Sequence, residues 1–400
     1  MAKQPSNKKD REETAQNGGL NSDSEITEDF VQDLIKDLNK EHQSRIAWNL
    51  STDTTPTHVK RWISTGSRLL DYSVSNRRNG GLPEGRIIEI FGAPSIGKSH
   101  IATQIARSTQ KLGGVVVYID TENATNPENL KALGIDVSKR FIYSDPACTE
   151  DVFTVIESVI NKVKASQKDI PVTIIWDSLA ATSPKAELLA DYDKDSIGLQ
   201  ARALSKGFRK ITQVIGHNNI LLVVLNQTRT KIGLMFGDPT TTPGGSAVPF
   251  HASVRIQLFG GQKIGEKDDT LGINVMAKTI KNKVSPPFRS VNFQIHFGVG
   301  IVEHEEIFDI IRTYCEEHGP LDKGDARYVI EGTGAWKTLR VTSIKDGTVE
   351  LEKKFTKSAF NEIIDDPQYT DIVEDLLEYA MIKKPDTQKV QKSTQETEAQ

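Results

Sequence analysis

From residue 62 onward, apolar positions fall into short continuous runs separated by stretches of helical period. The runs cover residues 87–91, 115–120, 141–144, 172–177 and 220–226. They are too short for helices and too uniformly apolar for strands with one wet face, so they read as strands buried on both faces. Helical patterns lie between them, as at 150–165 and 197–215. This alternation predicts an α/β fold: a mostly parallel sheet with helices on both faces. After Gly245 the strand-like runs crowd together, at 252–258, 273–280 and 291–297, and are expected to extend the same sheet, partly antiparallel. From about Glu303 a smaller α+β region follows, with helical patterns at 307–317 and 372–381 and short strands around 341–351.

The ends differ in character. The first residues are polar and are expected to be disordered over 1–24. Phe30, Val31, Leu34, Ile35 and Leu38 then recur at helical spacing, with Thr27, Glu28 and Asp29 as a start signal. So short an amphipathic helix cannot bury its face alone and must dock on its own core or on a neighbour. It is expected, with a polar linker, to occupy 25–61. The core is expected at 62–302, a small C-terminal domain at 303–383 and a disordered tail at 384–400. No internal repeat is evident.

Composition narrows the class. Of 400 residues 37% are hydrophobic, enough for a large core. The net charge of −4 argues against a globally basic nucleic-acid binder and leaves a local basic groove open. Cys148 and Cys315 form no disulfide framework or metal cluster, which fits a reducing compartment. His42, His58, His100 and His217 are isolated, without ligand spacing. The apolar run at 220–225 is far too short to span a bilayer, and the N-terminus lacks a signal peptide's apolar stretch. A soluble intracellular protein without membrane partners is expected.

The chemistry enters with Gly92-Ala93-Pro94-Ser95-Ile96-Gly97-Lys98-Ser99, which fits the phosphate-loop pattern G-x-x-x-x-G-K-[ST]. An apolar strand precedes it and a helical run follows, as the pattern requires. Backbone N–H groups of such a loop wrap phosphate oxygens. Lys98 adds a point charge, and Ser99 offers a hydroxyl to Mg²⁺. Asp177 ends an apolar strand about 80 residues later and suits a Mg²⁺-side acid acting through water. Glu122 follows another strand of the same sheet and suits a carboxylate that activates water; spacing alone serves a simple strand-end acid equally well. Gln227 suits an amide contact to the γ-phosphate, although on its own it reads as a turn residue.

Together these residues resemble the RecA recombinase family. The resemblance covers roughly residues 62–302. It rests on Ser64-Thr65-Gly66-Ser67, on Gly80-Gly81-Leu82-Pro83-Glu84-Gly85-Arg86, on the phosphate loop, and on Ile119-Asp120-Thr121-Glu122. It continues through Leu133-Gly134-Ile135-Asp136, Asp177-Ser178-Leu179-Ala180-Ala181 and Pro184-Lys185-Ala186-Glu187. Its most specific part is Asn226-Gln227-Thr228-Arg229-Thr230-Lys231-Ile232-Gly233-Leu234-Met235-Phe236-Gly237, followed by Gly244-Gly245 and Lys281-Asn282-Lys283. Weaker similarity continues at Gly334-Ala335-Trp336.

The resemblance implies a RecA-type ATPase core with a twisted sheet. It implies a protein that binds ATP and Mg²⁺, assembles a homo-filament on single-stranded DNA, and exchanges that strand with homologous double-stranded DNA. Single-strand-binding and mediator proteins are further implied partners, and the cytoplasm the implied location, a host's if the gene is a phage's. Glu122 becomes the catalytic carboxylate, Gln227 the γ-phosphate sensor, and Lys281 and Lys283 cations reaching the ATP of the adjacent subunit. Read without the family, those two lysines are solvated. DNA is expected at two loops, 188–197 and 228–242. Their implied contacts are Ile197, Gly198, Arg202, Ser205, Arg209, Arg229, Ile232, Phe236, Gly244 and Gly245. Cations there meet phosphates, and apolar side chains wedge between bases.

The sequence also departs from the family. Asn126 and Asn129 stand where the family has an acid and an aromatic near the adenine, so Asn126 is the base-side candidate. Ile197 replaces a Met, and Pro249 replaces a basic residue beside the interface Phe250. Asn76-Arg77-Arg78-Asn79 extends a loop, and the tail is of mixed charge rather than acidic. These departures fit a divergent, phage-type member. Two rival readings of the same core are a hexameric helicase and a non-catalytic, ATP-gated mediator.

Overall fold

The structure, a computed structural model, describes residues 28–42, 45–55, 57–166, 168–191, 198–230, 240–266 and 269–383. The expected disordered ends lie outside these residues. The chain divides into two units between His58 and Val59.

In the first unit, helix α1 (Glu28–Glu41) carries Glu28 and Asp29 in its first turn and Lys40 in its last, the polarity that suits the helix dipole. Phe30 and Leu34 are exposed. The Asn39 side chain accepts from the Ile46 and Ala47 N–H groups at 2.7 and 2.9 Å, folding that segment back on the helix.

The second unit is built on a nine-stranded sheet. Its strands are β1 (Ile87–Gly92), β2 (Val115–Asp120), β3 (Phe141–Ser144), β4 (Val172–Asp177), β5 (Ile220–Gln227), β6 (Val254–Glu266), β7 (Asp269–Asn282), β8 (Ser290–His296) and β9 (Gly300–Val302). The order is β9-β8-β7-β6-β1-β5-β4-β2-β3. Pairing is parallel from β6 to β3 and antiparallel from β6 to β9. The expected strands are thus present, and the late ones do extend the same sheet. β6 and β7 run further than expected, because past Leu258 both faces are wet and the apolar signal fades.

Helices cover both faces: α2 (Arg68–Ser75), α3 (Lys98–Lys111), α4 (Thr149–Ser166) and α5 (Leu199–His217). Successive residues of β5 serve opposite cores, Leu221, Val223 and Leu225 one and Leu222 and Val224 the other. That explains why the strand reads as an unbroken apolar run. α5 lies close on α4: a Cβ at Gly207 would meet the Phe153 ring at 2.2 Å. Phe153, Trp176 and Phe208 form the aromatic centre of that layer.

Beyond β9 come α6 (His304–His318), an antiparallel sheet of β10 (Leu321–Lys323), β11 (Ala326–Glu331), β12 (Trp336–Ser343) and β13 (Val349–Thr356), and α7 (Pro367–Met381). Ile330, Leu339, Val341 and Phe355 from this sheet join the apolar cluster that covers one face of the large sheet. The extended loop after α2 reaches α7. Arg78 pairs with Asp375 at 2.6 Å and with Asp371 at 3.1 Å.

Candidate functional site

The phosphate loop leaves the C-terminal end of β1 and enters α3, whose N-cap is Gly97. Gly97 has φ +94°, and a Cβ there would meet Ile295 Cδ1 at 2.3 Å. A Cβ at Gly92 would meet the Leu258 carbonyl oxygen at 2.6 Å. Gly92 is therefore required by close approach to backbone, and Gly97 by its positive φ. Lys98 Nζ donates to the Ala93 and Gly92 carbonyls at 2.7 and 3.3 Å. Burial pushes this ammonium below its usual range, and the nearby Asp177 and Glu122 oppose that shift.

Three more strand ends converge on the loop. Asp177, at the end of β4, accepts from the Tyr118 hydroxyl at 2.7 Å and from the Ser99 hydroxyl. Burial raises its carboxyl above the usual range, while those two hydrogen bonds and the neighbouring carboxylates act in opposite senses. Ser99 and Asp177, the two Mg²⁺ candidates, are thus in contact. Among the described residues, no group of three His, Cys, Asp or Glu side chains forms a metal cage. One hydroxyl plus one buried carboxylate suits an ion that keeps most of its waters.

Glu122 follows β2, held by its neighbours. Burial alone would raise Asp120, but hydrogen bonds from Thr125, Glu122 and Ala124 outweigh it and hold its carboxyl low. The Asp120 carboxylate accepts from the Glu122 and Thr125 N–H groups at 3.1 and 2.9 Å, which fixes the turn. Glu122 Oε1 accepts from the Ser178 hydroxyl, and from Gln227 Nε2 at 3.2 Å. The catalytic and sensor candidates are therefore in direct contact. Asn126 instead N-caps the helix Pro127–Ala132, its Oδ1 accepting from Glu128 and Asn129 N–H at 2.7 and 3.4 Å.

Lys281 and Lys283 lie elsewhere. Lys281 pairs across the sheet with Arg255, near the start of β6, whereas the phosphate loop is level with Leu258. Lys281 Nζ donates to the Pro249 and Phe250 carbonyls at 2.6 and 3.1 Å. Its ammonium is lowered first by burial and then by Lys283 and Arg255, with Glu89 opposing. Within one chain these lysines do not face Gly92–Ser99. Phe250 beside them is 73% exposed.

The DNA-side candidates gather on α5 and the segment after β5. Gly198, φ +79°, is the N-cap of α5. Arg202, Ser205 and Arg209 share its outer face, and Arg209 Nε donates to the Ser205 carbonyl at 3.1 Å. Arg229 is exposed in a two-residue strand, Arg229–Thr230, paired with Thr240–Thr241. Gly244 and Gly245 have φ +91° and +63°. Cβ atoms there would meet Leu204 Cδ1 at 2.6 Å and Ala201 Cβ at 3.3 Å, so the base of the second loop rests on α5. Ile197, Ile232 and Phe236 lie outside the described residues.

Sequence reasoning passed over four residues. Tyr118 and Ser178 hold the two site carboxylates; the signal in the sequence is a tyrosine within a buried strand, whose hydroxyl needs a partner. Asn226 is fully buried beside Gln227. Phe297, 55% exposed, leaves the end of β8 two residues after Ile295, which abuts Gly97.

Comparison with known proteins agrees with this geometry. A family model for the RecA N-terminal domain matches residues 30–302. The chain is 37% identical over 316 residues to Protein RecA of Borreliella afzelii (strain PKo), covering 75% of this chain and 80% of that protein. It is 41% identical over 248 residues to Protein RecA of Treponema denticola, covering 62% and 58% of the two chains. Over 291 residues it is 37% identical to Protein RecA of Clostridium novyi (strain NT), covering 73% and 77%.

Proposed function

The chain belongs to the RecA family of recombinases, and from that premise we propose how its residues perform ATP-dependent DNA recombination and repair. The observation that carries the reading is the contact between Glu122 and Gln227 at the mouth of the phosphate loop. A water-activating carboxylate and a phosphate-sensing amide are useful together only where a γ-phosphate is both cleaved and read.

The loop fits ATP: Gly92 leaves no room for a Cβ and Gly97 holds a positive φ, and the buried Lys98 ammonium bonds to its own loop's carbonyls, which phosphate oxygens would replace. Gly92, Ala93, Pro94, Ser95, Ile96 and Gly97 supply backbone groups, and Lys98 supplies the charge. Ser99 and, through water, Asp177 would hold Mg²⁺, which would neutralise phosphate charge. Phe297, exposed two residues after Ile295, is the ring we assign to stack on the base. Asn126 is engaged as a cap, so any base contact from it uses the amide NH₂.

Glu122 orients the attacking water and accepts its proton. Gln227 exchanges its Glu122 contact for the γ-phosphate and thereby moves the start of the second DNA loop. Arg202, Ser205, Arg209 and Arg229 hold the strand's phosphates. Lys281 and Lys283 complete the site from a neighbouring copy, which makes hydrolysis depend on assembly on single-stranded DNA. Filament formation and pairing with homologous duplex follow from that arrangement. Among the described residues no helix is long and apolar enough to cross a membrane.

ATPase measured with and without single-stranded DNA, alongside a strand-exchange assay, tests this reading. Wild-type protein should hydrolyse ATP only weakly until DNA is added. Glu122→Gln should bind ATP, form filaments visible by electron microscopy, and turn over at least about a hundredfold more slowly. Brisk turnover by Glu122→Gln removes it from the catalytic role, and closed rings that unwind duplex would favour a helicase.

A further inference from the structure

Asn226 is fully buried, and its amide is fully used. Nδ2 donates to Glu89 Oε1 at 3.0 Å and to the Pro243 carbonyl at 3.2 Å. Oδ1 accepts from the Gln227 N–H at 3.0 Å. One side chain thus joins the central strand β1, the base of the second DNA loop and the backbone of the sensor residue.

Glu89 decides which way that amide points. An ionised carboxylate only accepts, so the NH₂ of Asn226 must face it. Turned over, the amide would set oxygen against oxygen at Glu89 and leave the Pro243 carbonyl and the Gln227 N–H without partners. Glu89 is itself fully buried on β1 and held by Arg255, whose Nε lies 2.5 Å from Oε2. The Arg255 guanidinium lies 4.7 Å from the Phe91 ring centroid and pairs across the sheet with Lys281. Glu89 is also the carboxylate whose field opposes the lowering of Lys281. Gln227 and the base of the second loop therefore reach this buried acid through Asn226, and Lys281 feels its charge from across the sheet.

We propose that Glu89 is a positioning residue that couples the nucleotide site to the DNA loop: by fixing the Asn226 amide, it makes Gln227 and Pro243 move as one. Pro243 is followed by Gly244 and Gly245, which rest on Leu204 and Ala201 of α5, so the movement reaches the helix bearing Arg202 and Arg209. This inference rests on the reading of Gln227 as a phosphate sensor and of the second loop as a DNA contact.

A swap separates coupling from stability. In the double variant Glu89→Gln with Asn226→Asp, position 89 carries the N–H donor and position 226 the acceptor. Their mutual bond is restored and Arg255 keeps an anionic neighbour, but position 226 can no longer donate to the Pro243 carbonyl. A second variant, Asn226→Ser, leaves Glu89 and Arg255 paired and shortens the side chain so that it cannot serve all three partners.

Full-length wild type, Asn226→Ser and the swapped protein should be compared for melting temperature, DNA-free ATPase, DNA-stimulated ATPase, and affinity for a single-stranded oligonucleotide in ADP and in a non-hydrolysable ATP analogue. Both variants should stay folded and keep DNA-free ATPase within about twofold, while DNA stimulation and the analogue-dependent gain in DNA affinity fall about tenfold. Wild-type stimulation in either folded variant overturns the inference alone. Absence of stimulation in wild type overturns the functional reading and this inference with it.

Discussion

At the scale of single residues, the site is a set of carboxylates kept apart in role by what donates to them. Asp120 is spent on its own turn, Glu122 faces Gln227, and Asp177 is buried with two hydroxyl donors. Tyr118 is the donor whose loss is easiest to read. A hydrogen bond to a charged acceptor contributes about 1.5–3 kcal/mol, so Tyr118→Phe should raise the Mg²⁺ concentration for half-maximal ATPase about tenfold or more. The sign for pH follows. Burial already raises the Asp177 carboxyl, and removing a donor to its ionised form raises it further. Since Mg²⁺ needs the carboxylate, the acid limb of the ATPase profile should move to higher pH in the variant. A Mg²⁺ titration superimposable on wild type would show that Tyr118 does not serve the ion. Of this arrangement, Lys98, Ser99 and Asp177 were legible because phosphate chemistry fixes their residue types and spacing. Tyr118 and Asn226 were not, since their partners come from strands that are neighbours only after folding.

At the scale of elements, β1, β2, β4 and β5 were readable because two cores demand apolar residues on both faces, whereas the edge strand β3 keeps Ile142 and Tyr143 exposed. The order of those strands was not, because nothing in an apolar run says which run lies beside it. The N-terminus of α2 shows a different kind of hidden feature. Ser67 caps it, and Glu303, distant in sequence, accepts from Ser67 Oγ and Arg68 N–H at 2.5 and 2.6 Å. Asp71 accepts from Ser64 Oγ at 2.5 Å and from Thr65 N–H at 2.8 Å. Burial, the largest influence on each, pushes both carboxyls up to about 7. Their ordinary values are 3.8 and 4.5, so between those values and about 7 the folded chain holds more protons than the unfolded one. Stability from these two groups is therefore fully present below their ordinary values of 3.8 and 4.5, falls as pH rises from there to about 7, and is level above it. Urea midpoints measured from pH 5 to 8 should show a smaller fall for Asp71→Asn than for wild type. Parallel curves would mean that Asp71 stays ionised throughout.

For the molecule as a whole, the position of Lys281 and Lys283 is the informative fact. They sit with Arg255 near the start of β6, whereas the phosphate loop is level with Leu258. Lys281 Nζ is instead bound to the Pro249 and Phe250 carbonyls. The family's pattern expects them to act on a neighbour's nucleotide, and a head-to-tail interface that does not close yields an open helical filament. Under the proposed function such an interface would have two separable halves, one with Lys98, Glu122 and Gln227 and the other with Lys281 and Lys283. A protein carrying Glu122→Gln lacks the first half, and one carrying Lys281→Ala with Lys283→Ala lacks the second. Each alone should show almost no DNA-stimulated ATPase. Mixed in equal amounts before DNA is added, they should regain activity, because random assembly makes about a quarter of the interfaces intact on both sides. Recovery should vanish when the two proteins are assembled on separate DNA and then combined. Activity of the mixture equal to the sum of its inactive parts would place both halves in one chain, against the geometry of β6 and β7.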